Sequence, residues 1–225
     1  MTVPASTKWG DKKNRRLDIL AAARGQLEVN GYHGLNIRQV ASAAHVSPGL
    51  VYSYFANKEE LFATLYAERL QLLQLEIEAS CQHTTDFNQF FINLLNAYLP
   101  VYQHFGKEFN LFSLLRQPDQ FPAELTQQLT DTAIQLMTTL YGYSQKLLGT
   151  ENLGLTTMPN AQLILPMFWI TLNGLADHFS GDRQHVYGHD LETMSRFMSN
   201  TLLLGLQYPA LSSSISARPP QQNKE

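Results

Sequence analysis

Apolar residues recur along most of this chain at three- and four-residue intervals, the spacing that gathers them on one face of a helix. The pattern predicts a first helix from Arg16 to Asn30, which Gly31 ends, and a long helix that begins at Lys58. Further helices are predicted at 86–104, 109–116, 122–148, 161–179 and 189–208. No segment shows the pattern of a sheet, and we therefore expect an all-α protein.

Two short helices joined by a tight turn are predicted between residues 36 and 58. The first has a single apolar face, typical of a supporting helix, formed by Ile37, Val40, Ala41 and Ala44. Asn36 suits the position that caps this helix, and Ser47 suits the same position before the second helix. The second helix turns Val51 and Phe55 inward. Its outward face is rich in glycine and tyrosine, which indicates a partner, and consists of Gly49, Leu50, Tyr52, Ser53 and Tyr54.

Charge is divided unevenly along the 225 residues, although the net charge is only -3. Up to Lys58 the sequence contains eight Lys or Arg residues and three acids, whereas the remainder contains eight and sixteen. A basic amino-terminal segment on an acidic body indicates that one end meets a polyanion, of which nucleic acid is the commonest. A basic face that is merely solvated is the alternative.

The cysteine count and the lengths of the apolar stretches indicate the cellular compartment of the protein. The single cysteine, Cys81, excludes an internal disulfide and fits a reducing cytoplasm, with packing as its expected role. The amino terminus lacks the apolar run of a signal peptide, and the longest apolar stretch is too short to span a membrane. We therefore expect a cytoplasmic protein with a hydrophobic core, no membrane partner and no cofactor.

Four segments are predicted from these patterns. Residues 1–13 form a flexible basic arm, and residues 14–57 form a helix-turn-helix DNA-binding domain. Residues 58–208 form a connector helix followed by a helical body, which the family resemblance described next implies to be a ligand-binding and dimerisation domain. Residues 209–225 have too little apolar content to pack and are expected to be disordered.

The segment from about Arg15 to Leu73 resembles the DNA-binding domain of TetR-family transcriptional regulators. The resemblance rests on Ile19-Leu20-x-Ala22-Ala23, Gly31-Tyr32, Val46-Ser47-x-Gly49 and Asn57-Lys58-Glu59-x-Leu61. It implies a three-helix head with a helix-turn-helix, followed by a larger helical effector-binding and dimerisation domain. It also implies a homodimer that binds a palindromic operator in double-stranded DNA, represses transcription and is released by a small-molecule effector.

Matched position by position, the family's DNA contacts fall on Asn36, Ile37, Arg38, Ser47, Pro48, Gly49, Leu50, Tyr52, Tyr54 and Lys58. Arg38 is suited to N7 and O6 of guanine, with a phosphate contact as the alternative. Leu50 offers only apolar contact, which suits the 5-methyl group of thymine. Tyrosine hydroxyls and the Lys58 ammonium suit phosphate oxygens. Asn36, Leu50, Ser53 and Tyr54 depart from the common family pattern, which leaves the operator sequence open.

The last two predicted helices are apolar on more than one side, and such helices must be covered on more than one side. We expect them to meet their copies across a two-fold axis as a four-helix bundle. The residues predicted for this interface are Phe168, Leu172, Leu175, Phe179, Met194, Phe197, Met198 and Leu202. A purely intramolecular core is the alternative.

Aromatic residues crowd the predicted body and suggest an effector site, because ligand pockets are mostly apolar with a few placed polar groups. The candidate ligand contacts are Phe91, Tyr98, Tyr102, Phe105, Phe109, Phe112, Tyr141, Trp169 and Asn173. Ordinary core packing is the alternative for each of them. The low density of charge there favours an apolar or aromatic effector over a phosphate or sugar acid.

The sequence is also compatible with two other classes of function. A metal-dependent enzyme would use Asp177, His178, Asp182, His185, His189 and Asp190, but these residues straddle a glycine-containing loop rather than repeating on one helix face. A non-specific or architectural DNA-binding protein would use the same head. The large acidic body argues against that role and favours a switch.

Overall fold

The computed structural model describes residues 12–105, 121–150, 161–180, 185–186 and 188–207. Eight α-helices and no strand occur in these ranges, which confirms the all-α prediction. The helices are α1 Lys12–Gly34, α2 Ile37–Ala43, α3 Pro48–Tyr54, α4 Lys58–Cys81, α5 Phe87–Phe105, α6 Ala123–Thr150, α7 Ala161–Phe179 and α8 Leu191–Gln207. The helix predicted at 109–116 and the predicted tail lie outside the described residues.

The first helix starts earlier and ends differently from its prediction. It begins at Lys12, so the end of the predicted flexible arm is helical. Gly31 has φ 63° and ψ -176°, which breaks the helix where the sequence predicted its end, and a further turn follows to Gly34. Glycine takes this conformation without the steric cost that a Cβ imposes. The turn delivers Leu35, which is 2% exposed, into the core.

Two compact units divide the chain, Met1–Gln74 with Pro100–Ile134, and Leu75–Leu99 with Gln135–Glu225. The unit that contains the head therefore extends past the predicted limit at residue 57, and the divisions fall inside α4, α5 and α6. Buried apolar side chains from the first four helices and from the turns between them form the head's own core. They are Ile19, Leu20, Ala23, Leu27, Leu35, Ile37, Val40, Ala41, Val51, Phe55, Leu61 and Phe62.

Phe168 is the centre of the second unit. Its ring centroid lies 5.1 Å from that of Phe87, 6.0 Å from that of Phe90 and 5.4 Å from that of Phe91. All four rings are buried, and aromatic rings at these separations attract one another beyond their burial of area. This cluster ties α5 to α7.

Candidate nucleic-acid interface

Backbone geometry fixes the turn between α2 and α3. The amide of Val46 donates to the carbonyl of Ala41 at 2.9 Å, and His45 adopts φ 55°, which lets the chain reverse within a few residues. Helix α2 packs its apolar face into the head, while Val51 is the buried residue of α3. The predicted helix-turn-helix is therefore present, with α3 as the more exposed helix.

Side-chain caps start both helices. Asn36 Oδ1 accepts from the amide of Arg38 at 2.8 Å, and Ser47 Oγ accepts from the amide of Leu50 at 3.2 Å. Each cap satisfies a backbone donor that the helix leaves unpaired. Although each side-chain oxygen accepts a hydrogen bond from the backbone, the Asn36 amide N–H groups and the Ser47 hydroxyl can donate to a partner. Such donors match phosphate oxygens.

The outward face of α3 is largely polar and lacks a side chain at Gly49. Pro48, Gly49 and Tyr52 are exposed, Tyr52 by 54%, while Leu50 and Tyr54 are half-buried. A Cβ built on Gly49 would meet no protein atom closer than the Ser47 hydroxyl oxygen at 3.9 Å. The protein itself therefore does not require glycine there. The missing side chain lets another molecule approach the backbone closely.

Ile37 differs from the other predicted DNA contacts because its side chain is buried. Ile37 is 8% exposed and packs in the head's core, so its side chain cannot reach a partner. Residue 37 is the first residue of α2, and only its backbone is available there. Arg38, the next residue, is exposed. The apolar stripe of α2 in the sequence already indicated this burial for Ile37.

Two cations near the helix-turn-helix lie on aromatic rings. Lys58 Nζ is 4.2 Å from the centroid of the Tyr32 ring, and the Arg16 guanidinium carbon is 5.4 Å from that of Phe55. Tyr32 is held in turn by Phe62, whose ring centroid is 4.6 Å away. The sequence did not reveal these pairs, because their members lie far apart along the chain.

Carboxylates pair with other basic residues of the head. Arg24 contacts Glu68 at 2.9 Å and Arg15 lies 3.9 Å from Asp18. Among the described residues, no carboxylate pairs with Arg16, Arg38 or Lys58. Their positive charge is therefore available to an external anion.

A narrow apolar cavity of about 10 Å³, enough for roughly one water molecule, lies in the second unit. Its lining is apolar apart from the Ser144 hydroxyl and the Trp169 indole N–H, and consists of Phe90, Leu94, Met137, Leu140, Ser144, Phe168, Trp169 and Leu172. Ser144 is buried and donates to the carbonyl of Leu140 at 2.8 Å. The cavity can therefore take an apolar group.

Three predicted ligand contacts meet at the edge of this cavity. The rings of Tyr98 and Trp169 have centroids 5.3 Å apart. The Tyr98 hydroxyl donates to Asn173 Oδ1 at 2.8 Å, and Asn173 Nδ2 donates to the carbonyl of Trp169 at 2.7 Å. Phe91 is buried beside Phe168. These contacts join α5 to α7.

Other predicted ligand contacts do not belong to this cavity. Tyr141 is 43% exposed and its hydroxyl accepts from Gln145 on the same helix. Phe105 lies in the first unit, where its ring centroid is 5.2 Å from that of Phe62, and Tyr102 is half-buried in the same unit. Phe109 and Phe112 lie outside the described residues. Of the residues that line the cavity, only Trp169 was in the predicted set, because apolar core residues carry no sequence signal that separates a cavity lining from ordinary packing.

The predicted dimer residues are mostly buried within the single chain. Five of them are exposed by 8% or less and pack within the core of the single chain: Phe168, Leu172, Leu175, Phe179 and Leu202. Met194 and Met198 are half-buried, and Phe197 is 65% exposed. Where the structure describes the side chains of α7 and α8, the large apolar residues that are exposed are Met167, Ile170, Phe197 and Leu204. We call these four residues the outer stripe.

Features of other functional classes are sparse in the described chain. No group of three or more His, Cys, Asp or Glu that could hold a metal occurs within it, and Asp182 of the candidate cluster lies outside it. Cys81 is 1% exposed, and burial raises the pKa of its thiol. None of the described helices combines the length and hydropathy that crossing a bilayer requires.

Comparison with known proteins shows which family the head is similar to. Residues 19–65 match the model described as "Bacterial regulatory proteins, tetR family". The "Fatty acid metabolism regulator protein" of Bacillus subtilis (strain 168) is 34% identical over 59 residues, which is 26% of this chain and 30% of that protein. The "HTH-type transcriptional repressor AcnR" of Corynebacterium efficiens is 38% identical over 64 residues, 28% and 34% respectively. This chain thus matches about a third of the length of these relatives.

The likeness of fold extends further along the chain. The crystal structure of the transcriptional regulator FadR from Bacillus subtilis in complex with stearoyl-CoA is similar over 84% of this chain and 98% of that chain. The TM-score is 0.54 and the sequence identity is 17%. A head with a helix-turn-helix followed by a helical body is therefore common to both.

Proposed function

We propose that this protein is a TetR-family, ligand-responsive repressor that binds a palindromic DNA operator as a homodimer; its residues 19–65 match the model of that family. The observation that carries the proposal is the exposed face of α3. At Gly49 that face has no side chain, so another molecule can approach the backbone closely. Tyr52 and Tyr54 contribute hydroxyls, and the nearby cations have no carboxylate partner among the described residues.

The residues of this face divide into two roles. Exposed Arg38 is suited to bidentate bonding with guanine, and half-buried Leu50 is suited to the thymine methyl group. Tyr52, Tyr54 and Lys58 contact phosphate oxygens, which positions the head without selecting a base sequence. Ser47 adds a hydroxyl donor, because its oxygen is occupied by the cap.

The outer stripe forms the interface between the two copies of the dimer. Large apolar side chains that are 43 to 71% exposed on two adjacent helices lose water contact when a copy covers them. A two-fold axis through α7 and α8 would bring four helices together, as in other helical dimers. Two heads held about 34–36 Å apart could then enter successive major grooves on one side of the duplex.

The effector binds at the apolar cavity between α5, α6 and α7 of the second unit. The cavity lining contains no charged side chain, so the bound group is apolar or aromatic. A fatty acyl chain belongs to that class, and the Bacillus subtilis FadR structure was determined with stearoyl-CoA. Because the cavity holds about one water molecule, the effector must displace core side chains as it enters.

Release of DNA follows from a shared helix. Helix α4 runs without interruption from Lys58 to Cys81 and contributes residues to both units. Repacking around the cavity would shift α4 and change the separation of the two heads. A coupling free energy of about 1–3 kcal/mol is enough to alter operator occupancy severalfold, and the coupling must be reciprocal.

A competition titration at fixed salt tests the proposal. Genomic fragments selected by the purified protein would supply the candidate operator, and unlabelled operator and random duplex would compete for the bound probe. We expect the operator to compete about 10³-fold more strongly than random DNA. Equal competition would favour a non-specific DNA-binding protein and exclude the regulator.

A further inference from the structure

We propose that Arg16 is a DNA phosphate contact, positioned by the Phe55 ring at the carboxyl end of the recognition helix α3. The proposal rests on the DNA-binding function proposed above and adds a residue that lies outside the helix-turn-helix itself. Arg16 belongs to α1, and in the sequence it is only one member of a basic run.

The Phe55 ring is a fixed support for the guanidinium. Phe55 is 1% exposed, and its amide donates to the carbonyl of Val51 at 3.0 Å, which ends α3. The guanidinium carbon of Arg16 lies 5.4 Å from the centroid of this ring, while the Arg16 residue as a whole remains exposed. A guanidinium that stacks on a ring keeps the N–H donors along its edge available to an oxygen acid.

The other arginines of α1 are neutralised in a way that Arg16 is not. Arg24 contacts Glu68 at 2.9 Å, and Arg15 lies 3.9 Å from Asp18. Within the described part of the chain, no carboxylate pairs with Arg16. A cation that is held in place but not paired is ready to bind an anion from outside.

The dimensions of the recognition helix place this cation near the DNA backbone. Helix α3 has 7 residues, or about 10 Å at 1.5 Å per residue, and the major groove is about 12 Å wide. Both ends of a helix that fits the groove therefore approach a phosphate strand. The Arg16 guanidinium lies over the ring of Phe55, the residue that ends α3, and Lys58 follows Phe55 by three positions.

The dependence of DNA binding on salt tests the assignment without knowledge of the operator. The probe is a fluorescein-labelled random-sequence duplex of about 30 base pairs, titrated by anisotropy from about 50 to 200 mM salt. Each phosphate contact contributes about 0.9 to the slope of log affinity against log salt. We expect Arg16→Gln to reduce the slope by about 1.8 in a dimer, so that its loss of affinity over this range is about tenfold smaller than that of the wild type.

Two matched variants make the result specific. Arg24→Gln removes the same charge from the same helix but from a paired arginine, and we expect its slope to equal that of the wild type. Arg16→Lys keeps the charge and should retain the wild-type slope. An unchanged slope in Arg16→Gln, or an equal reduction in Arg24→Gln, would overturn the assignment to Arg16 alone. Failure of the wild type to bind any duplex would instead overturn the proposed function.

Discussion

Lys58 Nζ lies 4.2 Å from the centroid of the Tyr32 ring. The ring is fixed from two other sides, by Phe62 at a centroid distance of 4.6 Å and by a hydrogen bond from its hydroxyl to Glu59 Oε1 at 3.3 Å. The turn that follows Gly31 therefore orients a cation at the start of α4. If Lys58 contacts DNA as proposed, we expect Tyr32 to act on DNA binding through Lys58, as a positioning residue.

Removal of the Tyr32 ring should weaken DNA binding indirectly, because the ring positions Lys58 and does not itself contact DNA. A cation on an exposed ring face is worth about 0.5–1 kcal/mol, so we expect Tyr32→Leu to weaken binding about two- to fivefold per head. Tyr32→Phe keeps the ring and should change the affinity much less. Anisotropy titrations of both variants, alone and combined with Lys58→Gln, form a double-mutant cycle. Strictly additive effects of Tyr32→Leu and Lys58→Gln would exclude the positioning role.

Leu50 should distinguish thymine from uracil. The two bases differ by one methyl group, and burial of such a group against an apolar side chain is worth about 0.8 kcal/mol. We expect uracil at the contacted position of a selected operator to weaken wild-type binding about fourfold. Leu50→Ala should bind the thymine and uracil operators almost equally. If the wild type is insensitive to uracil at every position of the operator, Leu50 does not contact a thymine methyl group.

Charge placed on the outer stripe should dissociate the dimer while the fold persists. Ile170 is 71% exposed, so Ile170→Glu costs the monomer little and buries a carboxylate only in the dimer. Light scattering after size-exclusion chromatography should give a monomer mass for this variant. Tyr141→Glu, at a residue that is 43% exposed outside the stripe, should remain dimeric.

Phe168→Ala should instead lower the free energy of unfolding by about 3–5 kcal/mol, because Phe168 is a core residue.

The buried thiol of Cys81 should make stability depend on pH in the alkaline range. Burial raises the pKa of this thiol above its ordinary value of 9.0, so the unfolded chain releases the proton first as the pH rises. The stabilising contribution is complete below about pH 9 and is lost as the pH rises through the folded-state pKa, by at most about 1.4 kcal/mol per pH unit. Urea unfolding of the wild type and Cys81→Ala between about pH 7.5 and 10 measures this difference. Parallel stability curves would contradict it.

The turn residue His45 should prefer glycine to a branched residue. Its φ of 55° costs an L-residue about 1–2 kcal/mol, which glycine avoids. We expect His45→Gly to unfold at a higher urea concentration than His45→Val, in which the branched Cβ adds further strain. Equal midpoints for the two variants would show that this backbone conformation is not retained.

Periodicity predicted the described helices well because burial of a single face leaves a regular trace in the sequence. Helix α7 was predicted at 161–179, the limits that the structure gives. The same periodicity could not tell which of its two apolar sides packs inside. Phe168 and Met167 are equally apolar in sequence, but Phe168 is 6% exposed and Met167 is 43% exposed. Only the tertiary neighbours of α7 decide between them.

The predicted ligand contacts do not all lie near the apolar cavity, for a similar reason. Tyr98 and Phe105 are two turns apart on α5 and face nearly the same way. Two turns are about 10 Å of helix, however, and at that distance the packing partners change. Tyr98 meets Asn173 in the second unit, whereas Phe105 meets Phe62 in the first. Contacts between residues 75 positions apart leave no local pattern.

Among the 7 residues of the recognition helix, Val51 is the buried one. Substitutions at exposed positions away from caps and cores usually change stability by about 0.5 kcal/mol or less. The outward positions of α3 can therefore accumulate mutations while the head still folds. Regulators with this head can acquire new target genes after gene duplication by changing a few surface residues, and their folding places little restraint on the operators they come to recognise.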